Sequence, residues 1–157
     1  MEIIRKRDAC QNKRLSVHIG INYTGTANAP SGCIKDVKCF RDVLQQRFGI
    51  TENIVLTDDK EAMLPTKANI LRVLKDVAQR TKTDGVELVV IQYSGHGTLV
   101  PYDPRIHAWS EDEHVEHMNS AWVSQDMGIL CDNDLRKIIN QCSPWCRVFC
   151  LSDSCHS

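Results

Sequence analysis

The chain has 157 residues, enough for one domain with a buried core, and its 19 Lys and Arg against 20 Asp and Glu leave a net charge of −1. No broad basic field, acidic tail or apolar stretch near the roughly 20 residues of a membrane span is visible, so neither nucleic acid nor a membrane is expected as a partner. Eight cysteines fall largely within helix and strand patterns, where free Cys packs as a small hydrophobe, and the N-terminus has no signal-like apolar core. The expectation is a reduced, cytoplasmic protein rather than a disulfide scaffold.

Residues 1–13, with their small basic cluster, read as an N-terminal extension ahead of a single domain over 14–157. Arg14 to Tyr23 is a β-rich run that ends in a Gly/Asn/Thr loop, Asn22 to Asn28. Ser31 to Phe48 carries apolar residues at Ile34, Val37, Phe40, Val43, Leu44 and Phe48, a helical spacing closed by Gly49. Asn53 to Thr57 is a short strand closed by Asp58 and Asp59. Thr66 can then cap a helix whose buried face is Ile70, Leu71, Leu74 and Val77. Val86 to Tyr93 is almost continuously apolar, as a central parallel strand should be. Thr98 to Met127 shows little periodicity, is rich in His, Asp and Glu, and reads as a long functional loop. Asp132 to Cys142 predicts a short helix, and Arg147 to Leu151 a last strand. Strands alternating with helices imply right-handed crossovers and an α/β fold, a mostly parallel sheet with helices on both faces.

Ligands bind at the carboxyl ends of strands in such sheets, and two motifs fall at that edge. Tyr93-Ser94-Gly95-His96-Gly97 follows one strand, and Leu151-Ser152-Asp153-Ser154-Cys155-His156-Ser157 follows another. A Cys and a His delivered from neighbouring strand ends are the minimum apparatus of a cysteine hydrolase, with the thiolate as nucleophile and the imidazole taking its proton. Cys155 and His96 are the candidates; the adjacent His156 is less suited, because neighbouring side chains at a strand end diverge. The N–H groups of Gly97 and Cys155 can together hold an oxyanion. Cys142, Cys146, Cys150 and Cys155 do not have the paired spacing of a zinc knuckle, and Trp109, Trp122 and Trp145 read as packing residues.

These two blocks resemble the large-subunit catalytic region of the metacaspases, within the caspase-like cysteine peptidases. Four further segments agree in the same order: Ile19 to Tyr23, Gly32 to Val37, Leu56 to Asp59, and Pro65 to Ile70. The resemblance implies a caspase-like three-layer sandwich and a cysteine endopeptidase acting through His96 and Cys155. It further implies cleavage after Arg or Lys, with Asp36, Asp153, Cys33 and Ser94 lining the pocket for the basic side chain. Two carboxylates at the base of a slot attract a guanidinium and repel an aspartate. No cofactor is needed for the chemistry, but calcium is implied as an activator. Its Asp-Asp pair reads Cys131-Asp132 here, leaving Asp132 as a ligand beside loop carboxylates such as Glu111, Asp112, Glu113 and Glu116. The family pattern continues beyond the nucleophile into a small-subunit region that completes the sheet, whereas this chain stops at Ser157. The expectation is therefore a domain incomplete at its C-terminal edge. Its partner region would lie in the same gene product or a separate chain, and the alternative is a caspase-like module without turnover of its own.

Overall fold

The computed structural model describes residues 13–27, 29–59, 62–101 and 118–155. Four strands form a parallel sheet in the order β2 (Glu52–Thr57), β1 (Lys13–Gly20), β3 (Val86–Ser94) and β7 (Arg147–Asp153). The helices are α1 (Cys33–Phe48), α2 (Lys67–Thr83) and α3 (Asp132–Ile139). This is the expected caspase-like α/β architecture, with helical layers on both faces of a mostly parallel sheet.

Period-two alternation sorts the central strands between those layers. Leu15, Val17 and Ile19 of β1 and Val89, Ile91 and Tyr93 of β3 join Ile70, Val73, Leu74 and Val77 of α2 and Ile138 of α3 in the main core. The intervening residues face α1, where Val90 packs with Leu44 and Ile50. That second face is partly polar: His18 Nδ1 lies 2.9 Å from the Gln92 amide and Nε2 lies 2.8 Å from Ser16 Oγ, which donates to Asn53 Oδ1 at 2.7 Å. Both ring nitrogens thus have a hydrogen-bond partner in the buried layer, Nδ1 the Gln92 amide oxygen and Nε2 the Ser16 hydroxyl.

Burial holds the His18 pKa below the ordinary 6.5. The unfolded chain therefore takes up a proton first as the pH falls, so the contribution of His18 is complete above about pH 6.5 and lost below it. Denaturant titrations should show stability falling as the pH drops below about 6.5, at up to about 1.4 kcal/mol per pH unit from this one group. A His18→Gln variant should have the flatter profile, and an equally steep one would assign the acid sensitivity elsewhere.

The structure departs from the sequence expectations at four places. The first strand ends at Gly20 and does not reach Tyr23, which takes a left-handed turn. Thr98 to Met127 is not one irregular loop, because a second, antiparallel sheet of β4 (Gly97–Pro101), β5 (Met118–Val123) and β6 (Ile129–Cys131) draws on it. Tyr93 and Trp122 bind that sheet to the core, their rings stacked at 4.5 Å and 6°. The helix from Asp132 ends at Ile139, so Cys142 lies in the following turn. Trp145 does not pack, being 87% exposed.

β7 is the edge of the parallel sheet. Its Phe149 and Leu151 pair in register with Val90 and Gln92 and so point to the α1 side. α1 packs over β1 and β3, and it leaves Phe149 56% and Leu151 37% exposed.

Candidate active site

β3 and β7 run in register to the same edge, where Ser94 pairs with Asp153 and its hydroxyl donates to an Asp153 carboxylate oxygen at 3.3 Å. Both side chains lie on the α1 face. Gly20, the partner of Ser94 across β1 and β3, lies under the first turn of α1, where an added Cβ would stand 2.9 Å from the Cys33 carbonyl. Cys33 and Asp36 thus enter from that turn, with Asp36 exposed. A carboxylate there is favoured by the helix N-terminus alone, whatever else it does.

Beyond Ser94 the chain turns through Gly95 and His96 into β4. The Tyr93 side chain folds beneath this turn, and its hydroxyl donates to the His96 carbonyl at 2.6 Å. A Cβ on Gly95 would stand 2.7 Å from that hydroxyl oxygen and 3.1 Å from the hydroxyl oxygen of Tyr23, so the glycine makes room for both phenols. Gly97 has a comparable role toward the other motif. A Cβ there would overlap the Cys155 carbonyl oxygen and stand 3.0 Å from Ser154 Oγ. The glycine after His96 and the main chain of Cys155 are therefore in direct contact, two segments nearly sixty residues apart in sequence.

The small sheet ties them further. Trp122, stacked on Tyr93, donates from Nε1 to Ser152 Oγ at 2.9 Å, and Ser152 Oγ lies 3.1 Å from Ser154 Oγ. Tyr93 and Trp122 together link the turn that carries His96 to the strand end that carries Cys155. His96 and Gly97 also border an open cleft of about 600 Å³, with Tyr23, Thr26, Val123 and Met127 around it.

Among the described cysteines, all of which are free, Cys155 is exposed at this edge. Burial pushes the thiols of Cys131, Cys142 and Cys146 upward, so they stay protonated and inert.

A family model described as "Metacaspase, peptidase C14 domain" matches residues 14–157. The chain belongs to the metacaspases. It is 35% identical over 148 residues to Metacaspase-9 of Arabidopsis thaliana, covering 92% of this chain and 43% of that protein. Metacaspase-4 of the same plant is 34% identical over 145 residues, 90% of this chain and 33% of its own length. Metacaspase-1 of Meyerozyma guilliermondii is 31% identical over 153 residues, 94% of this chain and 36% of its own. The chain thus spans between a third and a little over two fifths of these metacaspases.

Within this metacaspase domain the structure brings together His96, Gly97 and Cys155, and beside them Ser94 and Asp153, with Cys33 and Asp36 on the adjoining helix turn. It separates Asp132 from them. That residue starts α3 on the opposite face of the sheet, accepts from the Asn133 N–H, and borders an apolar groove with Trp122, Leu135 and Cys150. Among the described residues no group of three or more His, Cys, Asp or Glu could hold a metal. Glu111, Asp112, Glu113, Glu116, Trp109 and His156 lie outside the described residues. Sequence reasoning missed the parts played by Tyr23, Tyr93 and Trp122. For Tyr93 a signal existed: a tyrosine two residues before a glycine in a strand-end turn can fold back beneath that glycine.

Proposed function

We propose that this chain is the catalytic large-subunit region of a cysteine endopeptidase that cleaves after Arg or Lys. The carrying observation is the contact between Gly97 and the Cys155 main chain, which sets the His96 turn beside the Cys155 turn at one sheet edge. His96 takes the thiol proton and Cys155 Sγ attacks the scissile carbonyl carbon. The N–H groups of Gly97 and Cys155 hold the resulting oxyanion. Protonated His96 then gives its proton to the leaving amine, and water, activated by His96, hydrolyses the thioester. Asp36 and Asp153 bind the basic side chain ahead of the cut bond, with Ser94 and Cys33 completing that pocket. The Ser94 bond to Asp153 supports this reading, because it orients a carboxylate on the α1 side.

Activity also requires a small-subunit region, in the same gene product or a separate chain, that pairs with β7 and covers Phe149 and Leu151. Among the described residues nothing pairs with the outer edge of β7, and an unpaired edge bearing apolar side chains favours association. The same observation supports the second reading, a caspase-like module whose role is to bind that region without turnover.

Hydrolysis of fluorogenic peptides ending in Arg or in Asp by the full-length protein decides between them. The expected result is cleavage of the Arg peptide alone. Asp153→Asn should lower kcat/KM for that peptide by about a hundredfold, the worth of one charge-assisted hydrogen bond. Equal cleavage of both peptides would overturn the pocket assignment, and cleavage of neither would leave the module reading.

A further inference from the structure

The loop after β1 enters the site from the side opposite Cys155, and one of its residues grips His96 in two ways. The His96 N–H donates to Tyr23 Oη at 3.0 Å, and the Tyr23 and imidazole rings lie 4.5 Å apart at 33°. The Tyr23 hydroxyl donates onward to the Val123 carbonyl at 2.5 Å, and its oxygen lies 3.1 Å from that of Tyr93. Since Tyr93 holds the His96 carbonyl, the peptide units on both sides of His96 are each anchored by a phenol. Burial raises the pKa of both hydroxyls, so neither loses its proton in the working pH range.

Tyr23 is itself held in an uncommon backbone conformation, φ 49°. Asp58, just past the end of β2, fixes that loop by accepting from the Asn22 N–H at 2.8 Å and the Thr24 N–H at 3.2 Å. The Asn22 side chain accepts from the Ile34 N–H at 3.3 Å, and the Tyr23 carbonyl accepts from the Thr26 N–H at 3.0 Å. Carboxylate, loop, phenol and imidazole thus form one continuous support that runs from β2 to the end of β3.

We propose that Tyr23 is the positioning residue of the His96 base, holding its main chain by the phenol oxygen and its ring by a tilted ring-to-ring contact, with Asp58 holding Tyr23. This rests on the assignment of His96 and Cys155 as the reacting pair. A base displaced by a few tenths of an ångström still allows substrate to bind but transfers protons more slowly, so the effect falls on kcat rather than KM.

The test uses the full-length protein, with active sites counted by a peptidyl-Arg chloromethyl ketone and turnover measured on the Arg peptide. In Tyr23→Phe, which keeps the ring and loses the oxygen, kcat per labelled site should fall by roughly tenfold with KM within about twofold. Tyr23→Leu, which loses both, should fall further. Asp58→Asn, which leaves one of the two acceptor oxygens, should fall in the same direction by less, and it decides the matter if Tyr23→Phe does not fold. A merely structural role would lower the number of labelled sites and leave kcat per site unchanged, and that result overturns the proposal. A parent protein that neither turns over the peptide nor takes the label at Cys155 overturns the peptidase reading, and this proposal with it. An active parent with an unaltered Tyr23→Phe variant overturns only the positioning role.

Discussion

On the proposed mechanism, a Cys155→Ala variant of the full-length protein should lose cleavage after Arg by about four orders of magnitude or more, because the step that forms the thioester would have no substitute nucleophile. Its stability changes by less than about 0.5 kcal/mol, since Cys155 is exposed and its removal empties no core. The contrast with the other cysteines sharpens the expectation. Cys39 is also exposed and free but stands on α1, away from the edge where β3 and β7 end. Cys39→Ala should therefore leave turnover unchanged. Peptide hydrolysis and denaturant midpoints, measured side by side on the two variants, make the comparison. Retained cleavage in Cys155→Ala would remove this residue from the chemistry altogether.

Gly97→Ala is the second large effect, and it should strike both stability and turnover. The new methyl group would overlap the Cys155 carbonyl oxygen, a main-chain atom that cannot rotate away, so the two segments must part. Overpacking of this kind costs about 1–3 kcal/mol. The same displacement separates the two N–H groups assigned to the oxyanion, and losing one such donor lowers kcat by about a hundred- to a thousandfold. Thermal unfolding and kcat per labelled active site are the two readouts. A variant that loses stability but keeps its kcat would show that the contact holds the fold together and takes no part in the reaction.

Much of this arrangement was legible in the residues, and the reasons for what was not are physical. β3 was readable because a strand covered on both faces is almost continuously apolar from Val86 to Tyr93, and the motifs at the ends of β3 and β7 could be placed at one edge because parallel strands finish together. The small antiparallel sheet left no such trace. β4 is partly exposed along its length and ends in Pro101, and its partner begins only at Met118. What anchors that sheet is the stacking of Trp122 on Tyr93, a contact that no sequence period encodes. Tyr23 misled for a related reason. It closes a β-rich run and reads as strand, yet β1 ends at Gly20 and Tyr23 takes a left-handed turn imposed from outside by Asp58. The pocket residues show a third case. Alternation along β3 and β7 places Ser94 and Asp153 on one face, but only their likeness to a family motif attached a substrate preference to them.

The position of β7 at the sheet edge also orders events in time. Its one strand partner among the described residues is β3, and Asp153 follows Ser94 by 59 positions. At roughly 5–20 residues per second, a ribosome makes the end of β7 about 3–12 s after the end of β3. Throughout that interval the Tyr93 turn can fold, but Gly97 has no Cys155 carbonyl to rest against. Pairing across so long a separation is also slow, because the loop entropy must be overcome before the strand contacts form. A nascent chain therefore carries its imidazole well before its thiol. The two halves of the candidate site cannot meet before β7 has been made and has docked on β3.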